Sequence, residues 1–301
     1  MRYQRTIAEK IEVTGEGIFS GANVKVELIP APANTGIVFL VKNGKREVEI
    51  PLSPETSLGL EGNTAVTNGE EVVYLVEHLL SALHALEVDN LFVRVNGVEI
   101  PILDGSAYPW VRAIREVGYK FLFAPKKFLK VKKEFVYSNG RGKVVFRPKE
   151  ETVVKATIKF NHPAIGVQSY QVNLNSKSYI NEICFAKTFA FKDELVERLK
   201  LGILKGGSPD SVIILEKDGI FNPEVLTAPD EFARHKVLDL VGDLYTLGSP
   251  VIGEVEGVCS SHKLHIEAIK AISSLQGFVE EVEEPPHLTF VFVPTKRFRA
   301  S

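Results

Sequence analysis

Cysteine is scarce in this chain, and long apolar runs are absent. Only Cys184 and Cys259 occur among the 301 residues, which argues against a disulfide framework or a cysteine-based zinc site, so any metal must be held by histidine and carboxylate. No segment approaches the roughly 20 apolar residues that cross a bilayer, and the first ten residues lack the apolar core of a signal peptide. We therefore expect a cytoplasmic protein without a transmembrane segment.

An excess of either charge is also missing. The formal net charge is −2 and the sequence pI is about 6.4, so no basic field attracts nucleic acid or an anionic membrane surface. We expect no nucleic-acid partner, and an anionic ligand would have to meet local lysines and arginines. The hydrophobic content of 45% and the charged content of 25% are ordinary for a globular protein with one or two cores.

The order of strand-like and helical segments indicates an α+β protein with two similar domains. In the first half, strand-like runs at 24–29, 37–41 and 91–95 accompany helical segments at 72–86 and 108–116. In the second half, strand-like runs at 144–146, 153–158 and 212–215 precede helical segments at 232–247 and 264–275. A Pro/Lys stretch at 124–127 separates the halves as a linker. We predict domains at 1–122 and 127–276, followed by a solvated acidic tail at 277–301.

An imidazole and two carboxylates recur every four residues in the segment 234–243. On an α-helix, this spacing lays His235, Asp239 and Asp243 along one face. The residues between them are mostly apolar, which indicates a packed helix whose polar stripe faces an enclosed space and therefore needs partners. A merely exposed polar face is the alternative, and spacing does not choose between the two.

Glu77 and His78 form a second polar pair, on another apolar helical segment. Adjacent side chains on a helix diverge by roughly 100°, so one can bind a metal while its neighbour reaches a water bound there. The alternative is a hydrogen-bonded core histidine beside a solvated glutamate. The two segments together supply two histidines and an aspartate, the number of protein ligands that leaves a catalytic zinc one open position. Zinc lowers the pKa of a bound water to about 7, and a carboxylate can then take its proton.

Two further features remain open from spacing alone. His262 and His265 lie at the start of the last helical segment, and either can be functional or a plain capping or surface residue. Gly206 and Gly207 belong to a turn that lacks the order of a phosphate-binding loop, so a turn that lines a ligand channel suits them better.

Six segments carry a family resemblance. In chain order they are VEHL at 76–79, PILDGS at 101–106, FNHPAI at 160–165, AKTF at 186–189, GGS at 206–208 and RHKVLDLVGDL at 234–244. Together they resemble the signature of the UDP-3-O-acyl-N-acetylglucosamine deacetylases, the zinc amidases of lipid A biosynthesis in Gram-negative bacteria. The resemblance extends to about residue 275 and does not cover the tail.

The resemblance implies a metal centre and a general base. His78, His235 and Asp239 match the family's zinc ligands, with Fe²⁺ as the other metal to be considered. Glu77 matches the carboxylate that takes a proton from the attacking water.

The resemblance also implies a general acid and groups that stabilise negative charge. His262, rather than His265, matches the family's acid, and Asp243 matches the residue that positions and charges it. Thr188 matches the threonine that donates to the tetrahedral intermediate, and Lys236 matches the active-site lysine.

For the substrate, the resemblance implies a UDP-activated acylated amino sugar. Phe160 matches the aromatic residue that stacks on uridine, Gly207 belongs to the glycine turn, and Lys143 is a candidate contact of the diphosphate. The acyl passage would be formed by Phe189, Phe191, Leu195, Leu199, Leu201 and Ile203. The family fold is two α+β domains whose helix pairs lie between two sheets, with an insert in each domain.

Five positions depart from the family pattern. Phe19 stands at a usual histidine, Cys259 at a basic residue, Leu75 at threonine, Lys187 at arginine and Ser261 at glycine. Phe19 and Cys259 lie near the expected diphosphate path, so anion contacts are weakened or moved there. Residues available to compensate are Lys143, Arg141 and Lys236.

The implied reaction is hydrolysis of the 2-acetamido group of UDP-3-O-(3-hydroxyacyl)-N-acetylglucosamine to a free amine and acetate, the committed step of lipid A biosynthesis. We expect a monomer. The alternatives are a zinc deacetylase of a related acylated amino-sugar nucleotide and a non-catalytic, zinc-stabilised binding protein.

Overall fold

Short strands alternate with six α-helices in residues 2–43 and 46–283, the part of the chain that a computed structural model describes. The strands are β1 (Tyr3–Ile7), β2 (Ile11–Glu16), β3 (Asn23–Pro30), β4 (Ile37–Asn43), β5 (Arg46–Pro51), β6 (Ser57–Gly59), β7 (Thr64–Thr67), β8 (Val72–Tyr74), β9 (Leu91–Val95), β10 (Tyr119–Pro125), β11 (Phe128–Val131), β12 (Phe135–Ser138), β13 (Lys143–Arg147), β14 (Thr152–Lys159), β15 (Val167–Asn173), β16 (Phe189–Phe191), β17 (Ile213–Glu216), β18 (Gly219–Ile220), β19 (Val251–Val258) and β20 (Val279–Val282). The helices are α1 (Glu77–Ala85), α2 (Tyr108–Val117), α3 (Ser176–Glu182), α4 (Lys192–Lys200), α5 (Glu231–Leu244) and α6 (His262–Ser274). None of these helices is long and apolar enough to cross a membrane.

Five strands of the first half form a sheet in the order β2-β3-β9-β4-β5. Strands β4 and β9 are parallel, and the other neighbours are antiparallel. Along β9, Leu91, Val93 and Val95 are buried while Phe92 and Arg94 are half-buried. This alternation is typical of a strand that has one face on a core.

Strand β19 is central to the seven-stranded sheet of the second half. Its first two residues pair in parallel with β11, and the residues from Gly253 onward lie between antiparallel β13 and parallel β14. Gly253 has a φ of +148°, and a Cβ there would lie 2.7 Å from Val131 Cγ2 and 2.9 Å from the Arg147 carbonyl oxygen. A glycine is therefore required where the neighbour of β19 changes from β11 to β13.

Helices α1 and α5 are in direct contact. Every residue of α1 is buried, as is every residue of α5 except Arg234 and Lys236. The Ser81 hydroxyl donates to the Leu238 carbonyl oxygen over 2.7 Å. A Cβ at Gly242 would lie 2.1 Å from the Glu77 carbonyl oxygen, so only glycine lets the first turn of α1 approach α5 this closely.

The mixed architecture confirms the α+β fold class. A single core cluster combines buried residues of both large sheets with α1, α2, α5 and α6, for example Val93, Leu83, Val154, Val241 and Ile269. The helices thus bury apolar side chains together with both sheets, as the family resemblance implies.

The helical segment expected from residue 72 is partly wrong. Val72–Tyr74 form β8, which pairs with β7, and Leu75 has a φ of +60° that ends the extended segment before α1 begins at Glu77. A short apolar run that contains β-branched residues suits a buried strand as well as a buried helix, so the sequence pattern could not locate this boundary.

The predicted linker at 124–127 is anchored rather than free. Lys126 is 1% exposed, and its Nζ atom donates to Asp89 Oδ1 over 2.6 Å and to the Glu87 carbonyl oxygen over 3.4 Å. A buried ammonium needs such partners. The segment is therefore fixed to the first half of the chain, while the domain boundaries at 122 and 127 stay a prediction.

The acidic segment after residue 277 is not simply a solvated surface segment. Val279–Val282 form β20, which runs antiparallel to β11. Glu280 and Glu281 form exposed ion pairs with Lys132 and Lys127. The rest of the predicted tail, at 284–301, lies outside the described residues.

His84 makes the stability of the fold depend on pH. Its Nδ1–H donates to the Val241 carbonyl oxygen over 2.7 Å, and its ring stacks on Tyr245 with centroids 4.8 Å apart. Burial lowers the pKa of His84 to about 4. In the unfolded chain, where the histidine pKa is about 6.5, this residue takes up a proton below that pH. In the folded protein it stays neutral until the pH falls to about 4. The contribution of His84 to the free energy of unfolding is therefore fully present above about pH 6.5. It is lost as the pH falls toward 4, by up to about 1.4 kcal/mol per pH unit.

We predict that His84→Gln, which keeps a donor for Val241, loses less stability than the wild type between pH 7 and pH 4.5. Urea unfolding of both proteins across this range measures the difference. A difference in unfolding free energy that does not change with pH would contradict the prediction.

Candidate active site

Three of the predicted site residues meet in one buried cluster. Donor atoms of His78, His235 and Asp239 all lie within 4.8 Å of one another. The Asp239 Oδ1 atom is 3.6 Å from His78 Nε2 and 3.3 Å from His235 Nε2. Since α1 supplies His78 and α5 supplies the other two, the close contact of these helices creates the cluster.

The protonation states of this cluster suit metal ligation. His235 Nδ1–H donates to the Ala186 carbonyl oxygen over 3.0 Å, which leaves the Nε2 lone pair facing Asp239. Burial lowers the pKa of His235 to about 3, so the ring is neutral. Burial also opposes ionisation of Asp239, but the Lys236 ammonium, 2.8 Å from Oδ2, and the positive charge of His262 hold its pKa well below the usual range.

Asp239 Oδ1 has no hydrogen-bond donor, although it is fully buried. A buried carboxylate oxygen without a donor is costly. The Nε2 atoms of His78 and His235 and the Oδ1 atom of Asp239 therefore form a set of donor atoms that can bind a metal ion.

Glu77 lies at the start of α1, next to this cluster. Its side chain is 3% exposed, and Oε2 accepts a hydrogen bond from the Thr64 backbone N–H over 2.9 Å. Burial raises the pKa of Glu77, so its carboxylate is more basic than one in water.

Asp243, one turn after Asp239, has different partners. Its Oδ1 accepts from the Thr64 hydroxyl over 2.6 Å, and its Oδ2 accepts from the Nδ1 atoms of His262 at 2.8 Å and His265 at 2.7 Å. Burial opposes its ionisation, but the two histidines lower its pKa. Asp243, His262 and His265 also bring three donor atoms close together, but these atoms are already hydrogen-bonded to one another and need no ion.

The two histidines of α6 differ in what their second nitrogen faces. His262 Nε2 lies 3.7 Å from Asp239 Oδ2, whereas His265 Nε2 lies 2.7 Å from the Ser260 hydroxyl. Burial alone would lower the pKa of His262, but the carboxylates of Asp243 and Asp239 raise it to about 9. His262 is therefore the one that presents a proton to the cluster.

A cavity of about 300 Å³ opens beside the cluster. Of the predicted catalytic and metal-binding residues, Glu77, His78, Thr188 and Lys236 line it. Thr188 is held by its backbone, since its N–H donates to the Gly105 carbonyl oxygen over 2.8 Å and its carbonyl oxygen accepts from Ile213 N.

The predicted aromatic residues form one wall of this cavity. The Phe160 ring contacts those of Phe189 and Phe191, with centroids 5.7 and 5.8 Å away. Lys236 Nζ lies 5.4 Å from the Phe189 ring centre. Of the residues predicted for the acyl passage, Leu195 lines the cavity, whereas Leu199, Leu201 and Ile203 are exposed on and after α4.

Gly207 and Lys143 are not among the residues that line the cavity. Gly207 has a φ of +99°, and its N–H donates to Glu16 Oε2 over 3.0 Å, which ties its turn to the end of β2. Lys143 begins β13 opposite Val258, at the end of β19 next to Cys259.

Four of the departures from the family pattern have visible structural roles. Phe19 and Leu75 line the cavity, and Phe19 packs edge-on against Tyr74. Lys187 Nζ donates to the carbonyl oxygens of Asp104 and Asp210. Ser261 caps α6 by accepting from Leu264 N over 3.4 Å.

Thr64 is a site residue that the sequence analysis missed. Its backbone N–H contacts Glu77 and its hydroxyl contacts Asp243, so it connects two residues with predicted roles in proton transfer. Asp243 is 179 positions away in the chain. No local spacing could predict this contact.

Comparison with known proteins identifies the family of this chain. Residues 4–274 match the family model for UDP-3-O-acyl N-acetylglycosamine deacetylase. A UDP-3-O-acyl-N-acetylglucosamine deacetylase of Nautilia profundicola is 39% identical over 275 residues, which cover 91% of this chain and 93% of that protein. Proteins of the same name from Anaeromyxobacter dehalogenans and Pseudomonas entomophila are 39% and 37% identical, over 89% of this chain and 87% and 89% of their own lengths. The resemblance seen in the sequence is thus confirmed, and the chain belongs to the UDP-3-O-acyl N-acetylglycosamine deacetylase family.

Proposed function

We propose that this chain removes the 2-N-acetyl group of UDP-3-O-(3-hydroxyacyl)-N-acetylglucosamine, giving a free amine and acetate in lipid A biosynthesis. The supporting observation is the buried Asp239 carboxylate, whose Oδ1 faces His78 and His235 beside a cavity that Glu77 also lines. The names of the relatives supply the substrate. A cytoplasmic location and a monomeric state stay predictions from the sequence.

The donor set fits Zn²⁺. Two neutral imidazole nitrogens and one carboxylate oxygen are a common catalytic zinc set, and the donor-free Asp239 Oδ1 suits a cation. We propose that His78, His235 and Asp239 hold Zn²⁺, with Fe²⁺ as the alternative. When bound, the ion would polarise the amide carbonyl and lower the pKa of a water molecule.

Two residues would move the protons. Glu77 would take a proton from the attacking water, because its buried carboxylate is more basic than usual. His262 would begin the reaction protonated and give its proton to the amide nitrogen as the C–N bond breaks. Asp243 would hold His262 in place and stabilise its charge.

Other cavity residues would stabilise the transition state and bind the substrate. The Thr188 hydroxyl and the Lys236 ammonium would donate to the developing oxyanion, a preorganised interaction that is often worth several kcal/mol. The aromatic wall of Phe160, Phe189 and Phe191 would contact the uracil ring and the acyl chain. We also propose that Gly207 lines the channel for the substrate and that Lys143 contacts its diphosphate part, outside this cavity.

Substitutions of His235, Asp239 and Asp243 on α5 are predicted to have different effects. His235→Ala and Asp239→Ala should lose bound metal, because each removes a ligand. Asp243→Asn should keep its metal and lose rate, because the Asp243 carboxylate bonds to Thr64, His262 and His265 and to none of the proposed metal ligands. Metal content measured together with acetate release tests this division, which is contradicted if Asp243→Asn also lacks metal.

Glu77→Gln removes the base and keeps the shape of the side chain. We expect a loss of kcat on the order of 100-fold or more, the range for loss of a general base, with normal metal content and unfolding temperature. Acetate release under single-turnover conditions measures the chemical step. Near-normal turnover with full metal content would remove Glu77 from this role.

The pH dependence of the rate should report on His262. Since its pKa is raised to about 9 and the protonated form is required, the rate should fall as the pH rises above about that value. In Asp243→Asn, loss of a carboxylate makes the imidazolium less stable, so the alkaline limb should move to lower pH. Profiles of kcat/KM for the two proteins test this, and identical alkaline limbs would argue for another acid.

A further inference from the structure

Among the described residues, three buried side-chain oxygens lack a hydrogen-bond donor: Gln168 Oε1 on β15 and two that belong to residues of the active site. One is Asp239 Oδ1, which the proposed metal would satisfy. The other is Asn63 Oδ1. Since buried polar atoms are almost always paired, the Asn63 oxygen needs a separate explanation.

The backbone around Asn63 is firmly held. The Asn63 carbonyl oxygen accepts from Leu60 N over 2.9 Å, and the next residue, Thr64, is bonded to Glu77 and Asp243. Asn63 itself is 5% exposed and lines the same cavity as Glu77 and His78. Asn63 is therefore a cavity-lining residue on a fixed segment and is not a surface side chain in a chance orientation.

A substrate with a secondary amide needs such an acceptor. Its carbonyl oxygen would interact with the proposed metal, Thr188 and Lys236. Its N–H loses its hydrogen bond to water when the substrate enters the cavity and needs an acceptor there. Lys236 and Arg198 only donate, and Ser211 is hydrogen-bonded to Ser208. Glu77 is engaged with Thr64 and the attacking water, and Glu194 is exposed on α4.

We propose that Asn63 Oδ1 accepts a hydrogen bond from the N–H of the scissile acetamido group, which makes Asn63 a substrate-binding residue that selects amides. The proposal rests on the proposed function. During hydrolysis the water oxygen bonds to the acetyl carbon, the C–N bond breaks, and its electron pair stays on nitrogen. The nitrogen takes the proton from His262 and leaves as an amine, which keeps its original N–H directed at Asn63 while acetate forms.

The proposal distinguishes an amide from an ester. In an analogue that carries a 2-O-acetyl group, the N–H is replaced by an oxygen that has lone pairs, which meet Asn63 Oδ1 with no hydrogen between them. A site that is built to bond an N–H rejects the analogue that lacks it. Removal of the Asn63 oxygen should therefore lower kcat/KM for the amide substrate and leave kcat/KM for the ester undiminished.

The test compares kcat/KM for acetate release from UDP-3-O-acyl-N-acetylglucosamine and from its 2-O-acetyl ester analogue. The variants are Asn63→Leu, which keeps the branched shape without a polar group, and Asn63→Ala, with Asn173→Ala at an exposed position of β15 as the matched control. For both Asn63 variants we expect a loss of about 10- to 100-fold with the amide, and an ester rate that is unchanged or higher. The control should match the wild type with both substrates.

Metal content and thermal unfolding complete the test. Both Asn63 variants should bind metal normally, and Asn63→Leu should unfold at a temperature no lower than the wild type, because it removes an unsatisfied buried group. Equal losses with amide and ester, or no loss with the amide, would overturn the role of Asn63 and leave the deacetylase function intact. A metal-loaded wild type that releases no acetate from the amide would instead overturn the proposed function, and this inference with it.

Discussion

Burial of two carboxylates one turn apart on α5 is the constraint on which the rest of the site depends. Removing an ionised carboxylate from water costs several kcal/mol unless charges and donors replace the water. Asp239 and Asp243 therefore require other elements to approach α5: the first turn of α1, the start of β7 and the first turn of α6. Gly242 permits the closest of these approaches. The contacts that stabilise the charges are thus the same contacts that assemble the site.

The two carboxylates differ in how many of their oxygens accept hydrogen bonds, and this difference suits them to different roles. Asp243 accepts from Thr64, His262 and His265, so both of its oxygens are occupied within the protein. Such a group is fixed in place and suits the positioning of another residue. Asp239 has a donor only on Oδ2, and its Oδ1 is open. An open buried oxygen suits a ligand for an ion, which is the role that we propose.

The sequence predicted those parts of the structure that depend on local periodicity. The four-residue spacing predicted that His235 and Asp239 share one helix face, and the apolar runs predicted six of the twenty strands in the described residues, namely β3, β4, β9, β13, β14 and β17. It could not choose between His262 and His265, because that choice depends on which imidazole faces Asp239. It also missed Thr64, whose partner is far away in the chain. Contacts between distant segments follow from packing, and no repeat in the sequence encodes them.

The aromatic wall connects the polar cluster to the substrate cavity through one residue. Phe189 packs against His235, with ring centroids 6.3 Å apart, and against Phe160 and the buried Phe232. Its ring also lies beneath the Lys236 ammonium. Apolar walls lower the local dielectric constant, so each charge in the cluster acts more strongly on a bound substrate than it would in water. The same wall raises the cost of every polar group that enters without a partner, so it favours a substrate whose polar atoms match those of the cavity.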